Sequence, residues 1–413
     1  MFDPLTEQSR SRASAGSEAG PASNIARTFD DGNYSFQTIS SEAELLSIQA
    51  EWNSLHAASG TGNAFTSFDW TWTWWEHFGA IRSPERQLFI QVVRRAGRVV
   101  GIAPLVRRRT RRGRIDKVEL LGFPLADYPD FLLAPGEARA VSLLLRHLSH
   151  ETALWDLMEL RDLSPAFATA SLLKDALNQL PLHGMSYPED ACPYIEIGGD
   201  WESVLQQHSR RTRHTFRAQS RRLKELGAEI QVLDHLPQGR GLMERLSELD
   251  GAKRWNRFAL PPLYSSPEFF RSLFNRLGPS GQLYVALLEK SGSLIAGELG
   301  FKAGKKLWCY WRAFDAAYRA LSPGTLLLGA VIDYGFRNGY SEYDFTRGDE
   351  DYKKRWAHKA RQNVGFLFWH ESWVSRSASF LYRNIRPGLD RLGSRWQIAR
   401  QGSETRPTRK DFE

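Results

Sequence analysis

The sequence predicts a mixed α/β protein in which one domain is built twice, and three observations predict it. "QLFIQVVRRAGRVVGIAPL" from Gln87 and "QLYVALLEKSGSLIAGELGF" from Gln282 read as the same β-hairpin. Each opens Gln-Leu-aromatic, turns at a glycine (Gly97, Gly292) and resumes with an aliphatic run before Gly101 or Gly297. "LLAPG" and "ALSPG" each place Pro-Gly ahead of an aliphatic, helix-like segment. That segment leads to an Asp-bearing strand, "WDLMEL" in one case and "YDFTRG" in the other. Pro135, Gly136 and Asp156 precede Pro323, Gly324 and Asp344 by one common offset. A hairpin, a helix start and a strand recurring in one order define an internal repeat. The copies span 33–193 and 194–372 and join near "YPEDACPYIEIGGDW".

Residues 1–32 are rich in Ser, Ala, Gly and Arg without apolar periodicity, and are expected to be a disordered leader. Order is expected from "YSFQTI". In "SEAELLSIQAEWNSL", Ser41 caps a helix and Glu44 completes a capping box, with Leu45, Ile48, Trp52 and Leu55 at helical spacing. The hairpin from Gln87 follows, then "LADYPD", which either faces a cleft or forms a solvated turn. The second copy enters through a predicted helix over 201–226, with Trp201, Leu205, Phe216, Leu223 and Leu226 on one stripe and arginines elsewhere. Its strand "KKLWCYWRAF" ends at "DAAYRALSPG", where the helix "TLLLGAVIDYGFRNG" begins. A strand that breaks into a helix N-terminus offers N–H groups and a positive dipole end to an anion; the plainer reading is an ordinary Pro-Gly helix start. The tail 373–413 sets Trp373, Phe380, Leu381, Ile385, Leu389 and Trp396 among arginines. Such a segment suits an anionic membrane surface, or packing across a domain.

Composition narrows the class. The 413 residues include 14 Trp and 23 Phe, enough to fill large cores. Two distant cysteines, Cys192 and Cys309, exclude a disulfide framework and suit a reducing compartment. Histidines are scattered and no Cys pair occurs, so no metal site is expected. No apolar run has membrane-span length and no signal-peptide core is seen, so a cytoplasmic protein is expected, with the tail at the inner membrane face. The net charge is +8, and "RRTRHTFRAQSRR" (210–222) holds six arginines and no acid. No RNA-binding module accompanies it, so nucleic acid is not expected as the main partner.

At "RALSPG", Arg319 to Gly324, the chain resembles the pyrophosphate loop of the Gcn5-related N-acetyltransferase (GNAT) superfamily, Arg/Gln-x-x-Gly-x-Gly/Ala, with Ser322 in place of the first glycine. "FDAAYRALSPGTLLL" followed by "DFTRGDEDYKKRW", with "FTSFDWTWTWWEHFG" and "RRTRHTFRAQSRRLKELG" upstream, resembles the tandem-GNAT acyltransferases (BioF2-like) associated with cellulose and exopolysaccharide biosynthesis. The resemblance covers 35–370 and is densest over 306–356. Fem-type peptidyltransferases, which use aminoacyl-tRNA, share the doubled fold.

The resemblance implies two tandem GNAT-like domains and an acyl-CoA donor, acetyl-CoA foremost, in a cleft between strands 306–314 and 342–346. Tyr318, Arg319, Ser322, Pro323, Gly324 and Thr325 would hold the pyrophosphate, and a backbone N–H among Trp311, Arg312 and Ala313 the thioester carbonyl. Asp344, Asp349 or Glu350 would be the base, and Tyr352 the acid that protonates the thiolate. Arg347 or Lys353 would bind an anionic group of the acceptor. Asp127 and Tyr128 would contact the acceptor from the first copy; Asp315 would orient it or cap a loop, and Trp255 would stand beside the cleft or in a core. With Asp130 in the region of Arg319 and Glu137 in the first helical turn, the first copy reads as a scaffold. The expected function is acyl-CoA-dependent N- or O-acylation of an amino sugar, a glycan precursor or a small amine. A Fem-type peptidyltransferase and a non-catalytic assembly factor are the alternatives.

Overall fold

The computed structural model describes residues 33–59, 63–80, 83–109, 115–177, 179, 182–235, 241–250, 266–348 and 350–380. Its strands in chain order are β1 (Tyr34–Ile39), β2 (Arg86–Leu88), β3 (Ile90–Arg95), β4 (Arg98–Ala103), β5 (Leu105–Arg109), β6 (Asp116–Leu120), β7 (Leu132–Leu133), β8 (Leu157–Leu163) and β9 (His183–Glu196). They continue as β10 (Ala228–Leu233), β11 (Leu283–Lys290), β12 (Ser293–Ala303), β13 (Lys306–Phe314), β14 (Glu342–Asp344) and β15 (Lys359–Trp369). One sheet has the order β1-β3-β4-β7; a second, of eleven strands, runs β10-β11-β12-β13-β14-β9-β15-β8-β6-β5-β2. Two pairs in the long sheet are parallel, β13 with β14 and β6 with β8. This is the mixed α/β class that the sequence predicts.

The two hairpins repeat in detail. Ala96-Gly97 and Ser291-Gly292 all have positive φ, the two-residue turn whose twist matches paired strands, and only glycine enters that region at no cost. Each hairpin carries one register shift, at Val93/Arg94 and at Leu288/Glu289. The Ser41–Glu44 capping box is present on the helix Glu42–Ser47.

The copies do not separate at residue 193. β9 runs through that position and pairs with β14 on one side and β15 on the other, while β15 continues onto β8 of the first half. Each half thus lends its last strand to the other half's side of the sheet. An aromatic core joins them further: Phe65, Trp70 and Tyr128 of the first half pack with Phe301, Trp308 and Tyr310 of the second. Burying each such ring stabilises by roughly 1.5–3 kcal/mol.

Two expectations are corrected here. The entry segment 201–226 is two helices, Trp201–Gln206 and Arg210–Glu225, because Ser209 accepts the Thr212 N–H at 3.2 Å and starts a new one. In the first half, Gly136 lies in a turn at φ +81 and the helix starts only at Arg139. β7, at two residues, is what stands there for the nine-residue β13. Among the described residues, no helix is long and apolar enough to cross a membrane.

Candidate active site

The candidate site is a fork. β13 and β14 register at Lys306↔Glu342, Leu307↔Tyr343 and Trp308↔Asp344, and then part. The chain beyond β14 stays with β9, through Phe345 N to Pro193 O at 2.9 Å and Gly348 N to Ala191 O at 3.0 Å. β13 instead follows β12 as far as Phe314↔Ala296. A bulge causes the divergence, since Leu299 faces Trp311 and Gly300 faces Cys309, leaving Tyr310 extra. Tyr310 and Trp311 therefore both enter the aromatic core, and Arg312 is turned to the opposite face of the sheet. Thr346, held in the left-handed region at φ 58, bridges the fork by donating from Oγ1 to Cys309 O at 3.0 Å. Above that bridge, from Cys309 to Phe314, β13 registers with β12 on one side and, among the described residues, with no further strand on the other.

On the helix side of the fork, Arg312 Nε donates to Glu298 Oε2 at 2.7 Å. The Glu298 carboxylate also accepts Tyr284 OH at 2.7 Å and Tyr343 OH at 2.9 Å, and Arg312 Nη2 reaches Tyr343 OH. Burial is the largest single influence and disfavours the guanidinium charge, but Glu298, Tyr343 and other neighbours together outweigh it and raise the Arg312 pKa. The loop above starts with Asp315, whose carboxylate accepts Ala317 N at 2.9 Å; of its two expected roles the structure shows the cap. Ser322 sits at φ 49, so the residue that replaces the motif glycine occupies a conformation glycine would favour. Pro323 opens the helix Pro323–Arg337, where its missing N–H costs nothing. Gly324 comes next; a Cβ there would stand 3.4 Å from Arg312 Cδ, so the helix start is packed directly over that guanidinium's stem. Gln219, on the Arg210–Glu225 helix, donates to Ala320 O at 2.9 Å and Ser322 Oγ at 3.0 Å. Arg319 is exposed beside this contact, Tyr318 is half-buried, and Thr325 N is taken by Ser322 O at 2.9 Å.

On the other face lies Asp344, 2 % exposed. Tyr128 OH donates to both of its oxygens at 2.8 and 2.9 Å, Thr346 N to Oδ1 at 2.7 Å, and Arg361 Nη1 to Oδ2 at 3.3 Å. Burial pushes the Asp344 carboxyl up to about 7, against the pull of the Tyr128 and Thr346 hydrogen bonds. The Tyr128 phenol is raised by burial and by the neighbouring carboxylate.

Arg347, expected to meet an acceptor anion, is instead directed inward. Nε donates to Asp127 Oδ1 at 2.9 Å, Nη2 to Pro124 O at 2.5 Å and Nη1 to Asp162 Oδ2. Asp127, expected as an acceptor contact, is fully buried in the same ion pair. Lys353 is likewise 3 % exposed on its side chain; Nζ donates to Arg347 O and lies 3.0 Å from Glu350 Oε2. The reason is common to all three: a charge drawn below the surface must be paired there, Arg347 and Asp127 with each other across the halves and Lys353 within its own loop. Glu350 stays half-exposed at the mouth, and Tyr352, 43 % exposed, packs edge-on to Phe345 at 6.2 Å. Asp349 and Trp255 lie outside the described residues. Trp311 and Ala313 are buried, with Trp311 in the aromatic core and its backbone on β13. Sequence reasoning missed Glu298, Thr346, Arg361, Asp162 and Asn363; Asn363 Nδ2 donates to Asp162 O at 3.2 Å. Glu298 and Thr346 sit inside stretches already noted for other residues, the rest lie outside them, and only their partners in space mark any of the five. Among the described residues, no group of acidic, His or Cys side chains could hold a metal ion.

Residues 210–354 match the sequence profile of the acetyltransferase (GNAT) domain. Among solved structures, the chain is similar to FemX, with a TM-score of 0.58 and 14% identity over 82% of this chain and 98% of that one. It is similar at TM-score 0.48 to L-PGS from Bacillus licheniformis (10% identity; 81% and 95% covered). A tandem GNAT protein from the clavulanic acid biosynthesis pathway gives 0.40 (14% identity; 82% and 99% covered). No curated protein sequence matches the chain. The profile match and the FemX likeness together identify a GNAT acetyltransferase-type fold, carried within a doubled α/β architecture.

Proposed function

We propose that the protein is an acyl-CoA-dependent N-acyltransferase whose donor lies in the β13/β14 fork, with acetyl-CoA as the foremost donor. The observation that supports this most is the fork itself: β14 leaves the edge of β13 after Trp308, and β13 runs on to the loop at the start of the Pro323–Arg337 helix, inside the span that matches the GNAT profile. An extended pantetheine chain can hydrogen-bond such an edge as a strand would, and a helix N-terminus beside exposed Arg319 suits a pyrophosphate. The residues present fit the donor, since Gly324 puts no side chain at that helix start.

In this reading the acceptor amine attacks the thioester carbonyl. The C–N bond forms, the C–S bond breaks, Asp344 receives the amine proton, and Tyr352 gives its proton to the leaving thiolate. Asp344 is preferred to Glu350 as base because its carboxyl is poised at about 7, whereas Glu350 stands beside Lys353 at 3.0 Å. The acceptor is an amino sugar or a precursor of a surface polysaccharide, such as those of cellulose or exopolysaccharide synthesis, or a small amine. The first half acts as scaffold: Glu137, in the turn ahead of its helix, accepts Tyr34 OH at 2.8 Å and Arg95 Nη1 at 2.8 Å, a poor place for a phosphate.

A second reading, transfer from aminoacyl-tRNA, is favoured by one feature. The helix that buttresses the donor loop through Gln219 exposes Arg210, Arg211, Arg217 and Arg221. Calorimetry separates the two. Acetyl-CoA is expected to bind at micromolar affinity, and R319A and G324E each to weaken it at least tenfold. A folded protein that binds no acyl-CoA but consumes charged tRNA would overturn the first reading in favour of the second.

A further inference from the structure

The last described element, a helix over 373–380, is turned inside out. Its buried face is made of Ser375, Ala378 and Ser379, exposed by 0%, 1% and 4%. Ser375 Oγ is anchored to His370 Nε2 at 3.0 Å. Trp373, 82% exposed, Arg376, and Phe380, 66% exposed, follow at i, i+3 and i+7 and so share the outward face. A helix facing only water would carry the opposite pattern, small or polar residues out and large rings in.

The surface continues beyond the helix. Arg376, Ser379 and Phe380 line a groove of about 310 Å³ with Trp369, His183 and Glu371. His183 stacks on Trp369 with ring centroids 5.9 Å apart, and its Nε2 lies 2.8 Å from Glu371, the carboxylate of the groove. The sequence that follows adds Arg383, Arg386, Arg391 and Arg395 beside Leu381, Ile385, Leu389 and Trp396, against one acid, Asp390, in that stretch.

We propose that this face docks on an anionic lipid bilayer. Indole and phenyl rings settle at the headgroup boundary, and arginines between them meet lipid phosphates. Charge complementarity selects this occupant. A second copy would bring Arg376 and the arginine-rich continuation against their own duplicates, and the chain's own 381–413 segment carries the same sign of charge as Arg376. Trp373 and Phe380 with Arg376 between them on one helix face match a planar, laterally adaptable surface of phosphates.

The test is co-sedimentation of the full chain with vesicles of phosphatidylcholine alone and with one-quarter phosphatidylglycerol, using wild type, W373A/F380A and R376E. Wild type is expected to bind the anionic vesicles at least tenfold more tightly than the neutral ones, and less tightly in high salt. W373A/F380A and R376E are each expected to lose at least tenfold, with unchanged circular dichroism as the control that each variant is folded. Absence of binding to anionic vesicles, or equal binding by the variants, would overturn the proposal. So would a concentration-dependent dimer in sedimentation velocity that W373A/F380A abolishes, which would give the face to self-association.

Discussion

Replacing Asp344 by asparagine is expected to lower the transfer rate by about 10²–10⁴-fold, the usual contribution of a positioned base, while acyl-CoA affinity stays within threefold of wild type. Asparagine keeps the shape that accepts Tyr128 OH and Thr346 N, so the fork is retained and the proton acceptor is lost. The pH profile carries the sharper signature. With the carboxyl at about 7, kcat/KM should rise with pH through that value and level off above it. Tyr128 donates to both oxygens and so favours the ionised form; removing that donor in Y128F should move the rising limb to higher pH. A flat profile in wild type, or an unshifted limb in Y128F, would remove Asp344 from the base role even if D344N were inactive. Loss of acyl-CoA binding in D344N would instead make it a structural support of the fork.

The parts of the fold that were legible in sequence are those fixed by local chemistry. Ala96-Gly97 and Ser291-Gly292 form turns that the neighbouring residues specify, and Ser41 with Glu44 needs only one helical turn to make its box. The strand and helix flanking "RALSPG" were equally readable, because a proline can open a helix but not continue one. The exchange of β9 and β15 between the halves was not, since a strand's sequence states which face is buried and not which strand it pairs with. The same gap explains Arg347. On paper it is a basic residue in a charged loop; only the fold shows Asp127 and Asp162 closing on it from the other half. Tyr128 and Asp344 were each singled out from sequence, but that a single phenol caps both oxygens of one carboxylate is a property of the interface between the halves.

Arg347 gives the largest expected effect on stability. Its side chain is 6% exposed and bonds Asp127 Oδ1, Asp162 and Pro124 O, all from the first half, so R347M leaves two buried carboxylates without their cation. Removing one member of such a set costs about 3–5 kcal/mol, measurable by urea unfolding. The deficit should depend on pH. The Asp162 carboxyl is already raised by burial, with Arg347 the main opposing influence, and losing Arg347 raises it further. A carboxylate with a raised folded-state pKa contributes stability that is fully present at low pH and lost as pH rises through the folded value. R347M should therefore be more impaired at pH 8 than at pH 5.5, where Asp162 holds a proton. R347M/D162N should recover part of the loss at pH 8, because it deletes one of the two buried charges that Arg347 served. Asparagine is also among the residues best tolerated at the left-handed φ of 58 that Asp162 adopts. A deficit equal at both pH values and untouched by D162N would mean that Arg347 stabilises by packing alone, and that the halves are joined by the aromatic core and the exchanged strands without this ion pair.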